Sequence, residues 1–178
     1  MDHGLKRLPA RFYRSVSGRE PVREWLKSLD SQDRKAIGED IKDVEFSWPL
    51  GMPLVRSLGR ELWEVRSNLH GSRIARTIFS IEQQQMKKKH IGTSFDSWLR
   101  AEGIYEEVTA SAIKRVLARQ VEAAMREKRF SKAEMARRMH TSRAALDRLL
   151  DPEYDAVTLS TLRKAAVAVG REIRIELV

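Results

Sequence analysis

The sequence predicts an α+β N-terminal fragment, two helices plus a short antiparallel sheet, followed by an all-α helix-turn-helix domain with a C-terminal strand. Three observations carry this. The hydrophobic period is near 3.6 residues over 20–46 and changes to 2 over 62–81. A polar run, EQQQ at 82–85, and a cationic run, MKKKH at 86–90, then interrupt the pattern. Finally, 130–151, FSKAEMARRMHTSRAALDRLLD, reads as two short helices joined by a tight turn. The expected domains are 1–81 and 93–178, with a junction over 82–92.

Residues 5–13 suit a first strand. Glu20-Pro21 opens a helix, because proline early in a helix lacks an N–H that would be orphaned anyway. Val22, Trp25, Leu26 and Leu29 fall on one face of it. Ser31 is the expected cap of a second helix, with Asp33 in its first turn and Ile37, Ile41, Val44 and Phe46 at roughly helical spacing. Two prolines and a glycine within WPLGMP (48–53) stop it. Residues 62–66 alternate as a half-buried strand, 68–72 form a hairpin turn, and 73–81 alternate again. Helices followed by an antiparallel run make a small α+β unit.

Beyond the junction, 94–100 form a short amphipathic helix ended by Gly103, the residue type that closes helices without Cβ strain. A long helix covers about 106–128, with Ile113, Val116, Leu117, Gln120, Val121 and Ala124 as its buried stripe. In the two-helix segment, expected over 131–139 and 142–150, Ser131 and Thr141 stand where caps belong. Glu134 completes a capping box with Ser131. Met135, Ala136 and Met139, then Ala145, Leu146 and Leu149, are the inward residues. Thr158 or Ser160 caps a last helix that Gly170 closes. Residues 172–178, EIRIELV, alternate strictly, so Ile173, Ile175 and Leu177 share one face. A lone strand is unstable. It must pair within the chain or with a second copy, which makes those three residues the candidate dimerisation row.

Composition narrows the function. Hydrophobic residues are 42% of the chain, enough for a core, and no run is long enough to span a bilayer. The N-terminus lacks the apolar stretch of a signal peptide, so a cytoplasmic protein is expected. Without cysteine there is no thiolate nucleophile or disulfide framework, and four scattered histidines lack metal-ligand spacing, so no metal or cofactor is expected. The net charge is +9. It is uneven: 114–148 hold 11 Lys/Arg against 4 Asp/Glu, while 1–85 hold 15 against 12. Local excess of this kind suits nucleic acid, because neutralised phosphates release counterions.

In a helix-turn-helix the second helix enters the major groove with its N-terminal residues at base edges. Thr141, Ser142, Arg143 and Ala145 are placed there, and Arg143 can grip guanine O6 and N7 with both arms. Lys132 and Arg148 suit phosphates. The expected partner is a double-stranded DNA operator, bound by a homodimer. In the first domain Arg66, Arg73 and Arg76 lie on or beside the strand pair. Such cations can stabilise a phosphoryl transition state; they equally suit a solvated sheet face, which spacing alone favours. Glu64 is a lone candidate general base. No glycine-rich phosphate loop or nucleophile elbow is present.

Residues 19–81, with EPVREWLKSL, DRKAIGEDIKDVEFSWPLGMPLVRSLG, ELWEVRSNL and RIARTIFSI, resemble the N-terminal part of HigB-type toxins of the RelE/ParE superfamily. Residues 86–178, with MKKKHIGTSFDSWLRAEGIYEEV, SKAEMARRMHTSRAALDRLLDP and TLRKAAVAVGREIRIELV, resemble a whole HigA-type antitoxin with a Cro/CI-like helix-turn-helix. The resemblance implies a toxin and antitoxin joined in one chain, with Met86 at a former start. It implies a ribosome-dependent mRNA endonuclease fold in the first part and, in the second, a dimeric repressor of the shared operon. A RelE-like toxin or the ribosome would then be a further partner. Arg76 resembles a family arginine that contacts RNA phosphate, and Arg66 a neighbouring family position. Such toxins continue past this strand with another strand and a basic tail, whereas here IFSIEQQQ passes straight into the antitoxin-like start. The resemblance therefore implies a truncated toxin with little or no ribonuclease activity.

Overall fold

A computed structural model of the chain describes residues 7–81, 88–152, 154 and 156–174. Among these residues the fold is mixed α and β, with seven α-helices and two small antiparallel sheets. Two compact units divide the chain, Met1–Ala112 and Ile113–Val178. No helix among the described residues is long and apolar enough to cross a membrane.

The first unit starts with β1 (Arg11–Tyr13) and α1 (Pro21–Ser28), which has Pro21 in its first turn as expected; of the strand expected over 5–13, residues 7–10 are not strand and 5–6 lie outside the described residues. Leu26 is its fully buried residue, while Trp25 stays 36% exposed. The next helix is α2 (Ser31–Ser47). Its cap is Asp30, whose carboxylate accepts the Asp33 N–H at 2.8 Å, and not Ser31. Both residue types suit an N-cap; Asp30 takes the role because its backbone is still extended, with ψ 166°. The helix ends ahead of Trp48-Pro49, where the residue before proline resists helical geometry.

Strands β2 (Val55–Gly59), β3 (Leu62–Leu69) and β4 (Arg73–Ser80) form an antiparallel sheet in that order. β2 has no counterpart in the sequence-based expectation. Of its five residues only Val55 is buried, so it carries no alternation to read. Val55 and Val65 pack with Val44, Trp48, Trp63 and Phe79 on the covered face of the sheet. The β3–β4 turn lies at His70–Ser72, within the expected span, and Gly71 takes φ 72°.

The expected junction at 82–92 is displaced. Residues 82–87 lie outside the described residues, Met86 among them. Ile91–Ser94 form β5, paired antiparallel with β1 through Arg11↔Ser94 and Tyr13↔Ile91. Helix α3 (Phe95–Ala101), capped by Ser94, follows, and then the start of α4 (Tyr105–Glu127). Phe95, Trp98, Leu99, Tyr105 and Val108 share one buried cluster with Phe12, Leu26, Ile37 and Ala75. The Phe12, Phe95 and Trp98 rings meet at 5.4–6.0 Å. The unit boundary therefore falls after Ala112, not before residue 93. Periodicity shows which face of a short helix is buried but not which partner covers it. A buried ion pair network adds to the join: Lys42 of α2 lies 3.0 Å from Glu45 and 2.9 Å from Asp96 of α3, and Glu45 accepts the Ala10 N–H at 2.7 Å. Fully buried charges persist when paired in this way.

In the second unit the end of α4 meets α5 (Lys132–Arg138), α6 (Arg143–Leu150) and α7 (Leu159–Ala168). Val121, Ala124, Met125, Met135, Met139, Leu146, Leu149, Ala165 and Val169 form its core. The expected inward faces of α5 and α6 are the observed ones. In α4, however, Gln120 is exposed instead of buried. Thr158 caps α7, accepting the Thr161 N–H at 3.2 Å, and Gly170, with φ 69°, follows it. At the C-terminus no strand is assigned to residues 171–174, and Ile173 is half-buried. Ile175 and Leu177 lie outside the described residues, so the expected strand over 172–178 is not observed in its described part.

Candidate nucleic-acid interface

Two surfaces, one in each unit, gather the predicted site residues. On the sheet, side chains alternate between faces. Val65 and Ser67 of β3 point to the covered side, whereas Glu64 and Arg66 belong to the other. The register sets Arg66 opposite Arg76, Glu64 opposite Ile78, and Arg56 of β2 opposite Glu64. Arg56, Arg66 and Arg76 thus share one face around a single carboxylate. Arg66 lies 4.0 Å from Glu64, whose Oε1 is buried without a hydrogen bond. Arg56 and Arg76 are exposed. Leu62, Ile74 and Ile78 on the same face are also exposed. Guanidiniums spaced across neighbouring strands can hold successive phosphates.

Arg73 is separated from this group. It has the opposite parity and pairs with buried Asp33 of α2 at 2.9 Å, while its Nε donates to the His70 carbonyl oxygen at 3.0 Å. Its charge anchors the β3–β4 turn to a helix. Sequence reasoning missed Arg56, because β2 itself was not legible.

The second surface is built by α5 and α6. Ser131 accepts the Glu134 N–H at 3.2 Å, as a cap should. The reciprocal half of the expected capping box is replaced: the Glu134 carboxylate binds Arg137 and Arg138 at 2.6–3.0 Å. Those two arginines hold its pKa below the ordinary carboxylate value. The cap of α6 is Ser142, accepting the Ala145 N–H at 3.1 Å, and not Thr141. Thr141 is half-buried, with its own N–H donating to the Ala136 carbonyl at 3.0 Å. His140 makes the turn at φ 49°, a region that histidine tolerates better than most residues other than glycine.

This places the predicted residues unequally. Arg143, in the first turn of α6, is 71% exposed, with one weak contact to Asp147 at 4.0 Å. Ser142 is exposed but its hydroxyl is occupied by the cap, and Ala145 is half-buried. Lys132 is tied to Asp147 at 2.6 Å, joining α5 to α6. That hydrogen bond keeps the Asp147 carboxyl below its ordinary pKa. Arg148 is exposed; its Nε donates to the Ala144 carbonyl at 3.4 Å, and its guanidinium lies 5.7 Å from the Tyr154 ring. Asp147 is the residue the sequence reading overlooked, an anion set among the intended DNA contacts. Among the described residues no group of three His, Cys, Asp or Glu could hold a metal ion.

Comparison with known proteins bears on the first surface. Residues 24–87 match the model of a family described as Phage derived protein Gp49-like (DUF891). That family is related to the RelE/HigB toxin superfamily. The matched span takes in most of α1, all of α2 and the three-stranded sheet. No curated protein matches the chain, and no solved structure does. Nothing in these comparisons bears on the HigA-like resemblance of residues 86–178.

Proposed function

We propose that the protein is a DNA-binding repressor of toxin–antitoxin type, in which residues 113–178 read an operator and the preceding unit is a toxin-type fragment with little or no activity. The observation that carries this reading is the presentation of Arg143. It stands at the start of a capped helix, largely exposed, while the Lys132–Asp147 bond holds α5 against α6. A guanidinium placed there can reach guanine O6 and N7, while Arg148 binds phosphate. Two copies, joined through the row Ile173, Ile175 and Leu177, read two half-sites.

Mobility shifts on the DNA upstream of the gene test it. Arg143→Ala should weaken binding by about 1–3 kcal/mol, roughly 5- to 150-fold, and relax specificity at one base pair. No shift with the unaltered protein at low salt removes the reading. Ile175→Lys should lower the assembled mass in solution; an unchanged mass removes the proposed dimer.

The match of residues 24–87 to a toxin-related family favours a second reading, a ribonuclease held in check within its own chain. Arg56, Arg66 and Arg76 would then bind RNA phosphates on the sheet. Expression of the full chain beside its Arg66→Ala, Arg76→Ala double variant separates the two readings. Growth arrest with mRNA cleavage in the unaltered chain alone supports the enzyme. Equal growth supports the repressor.

A further inference from the structure

A third cationic place exists in the first unit, away from the sheet face. Arg14, Arg19, Arg23 and Lys27, with Glu20 and Glu24, line an open hollow of about 550 Å³ between β1, α1 and β5. Four cations face two carboxylates, and the carboxylates are already engaged. Glu20 accepts the Thr93 N–H at 2.7 Å and the Thr93 hydroxyl at 2.8 Å. Its burial alone would raise its pKa, but the Thr93 bonds and Arg14 outweigh that and lower it, so it stays ionised near neutral pH. Glu24 is held by Arg19 through both carboxylate oxygens.

The remaining cations keep free bonding capacity. Arg14 and Arg23 each touch Glu20 only at 3.4 Å, a long contact for a charged pair, and the Arg23 Nε is buried without an acceptor. Lys27 is exposed and has no ion pair among the described residues. The floor is rigid. A Cβ on Gly92 would lie 2.5 Å from Glu20 Oε1 and 2.6 Å from the Phe12 carbonyl oxygen, so β5 and the start of α1 are in close register. Glu20 therefore acts as a buried post that holds two guanidiniums at the rim, beside a lysine.

We propose that this hollow binds a terminal phosphate, the dianionic monoester group of a nucleotide or of a 5′-phosphorylated RNA end. The lining has a net charge of +2, matching a dianion, and its donors converge from two elements. A guanidinium pair binds phosphate oxygens through paired N–H groups, and Lys27 adds a point charge. This holds whether the sheet face is active or vestigial, because no residue is shared.

Titration followed by backbone amide NMR of the full chain tests it. Inorganic phosphate should move the Gly18 and Thr93 amides to saturation, and chloride at equal ionic strength should not. Lys27→Glu, at an exposed position, should weaken phosphate binding at least 5-fold with the spectrum otherwise retained; Glu24→Gln should strengthen it. Adenosine monophosphate and a 5′-phosphorylated trinucleotide distinguish the two sources, and tighter binding of either supports the site. Equal binding of the trinucleotide with a 5′-hydroxyl overturns the proposal, since it would need only backbone charge. Equal shifts with chloride, or an unaltered phosphate titration in Lys27→Glu, overturn it as well.

Discussion

Gly92→Ala tests the assignment of residues 91–112 to the first unit. The added methyl would sit 2.5 Å from Glu20 Oε1 and 2.6 Å from the Phe12 carbonyl oxygen, both well inside van der Waals contact. The second neighbour is backbone of a paired strand, so it cannot swing aside as a side-chain tip could. Relief requires β5 to move from β1, or Glu20 to release Thr93. Overpacking costs about 1–3 kcal/mol, and loss of a hydrogen bond to a charged group about 1.5–3 kcal/mol. A loss of roughly 3 kcal/mol follows, since one of the two responses relieves the other. With a urea slope of about 2 kcal/mol per molar, the midpoint should fall by about 1.5 M. The assay is unusually clean. All four tryptophans, Trp25, Trp48, Trp63 and Trp98, lie in the first unit, so their fluorescence reports that unit alone. Gly51→Ala is the control, because a Cβ there meets nothing within 4 Å. A Gly92→Ala midpoint within 0.3 M of Gly51→Ala, a margin of roughly 0.6 kcal/mol on the same slope, would refute the β1–β5 pairing as the latch between these segments.

The second unit yields a complementary result. Leu146 of α6 is fully buried in the core of that unit, and Leu146→Ala should destabilise it by about 2–5 kcal/mol. The loss should appear in far-ultraviolet circular dichroism and leave the tryptophan transition in place. Acid should weaken the first unit through Glu20. Its folded pKa lies below the ordinary carboxylate value, so its contribution is present above about pH 4.3 and is lost as pH falls from there through the folded value. Glu20→Gln should flatten that part of the stability–pH curve, and an unchanged slope between pH 5 and 3 would count against it. If α6 reads DNA, Asp147→Asn removes an anion beside Arg143 and Lys132. Affinity for unrelated DNA should then rise several-fold in filter binding, and a fall would count against the proposed docking face.

The elements that the sequence determined are those whose signals are local. Pro21 marks the start of α1, Ser131 caps α5, and Gly103 and Gly170 take positive φ after α3 and α7. Each is a short-range matter of an orphan N–H, a missing N–H or a missing Cβ. The inward faces of α5 and α6 were legible for the same reason, because 3.6-residue spacing is a property of one helix. Close competitors were less legible. Asp30 against Ser31, and Ser142 against Thr141, are pairs of good caps one residue apart, and the choice depends on where the chain leaves extended geometry.

Which distant groups meet depends on packing across the chain. Residues 91–112 carry amphipathic patterns that fit any core, and it is Phe12, Leu26 and Ile37 that cover them. β2 exists because β3 offers it hydrogen bonds, not because its own residues alternate. Arg73 looked equivalent to Arg66 and Arg76 in sequence, yet one step of strand parity sends it to Asp33, 40 residues away. The cation-lined hollow is likewise invisible in sequence, since Arg14, Arg23 and Thr93 are gathered only when β5 returns to β1. Local chemistry sets where elements begin and end. Pairing across the chain sets which charges end up sharing a surface.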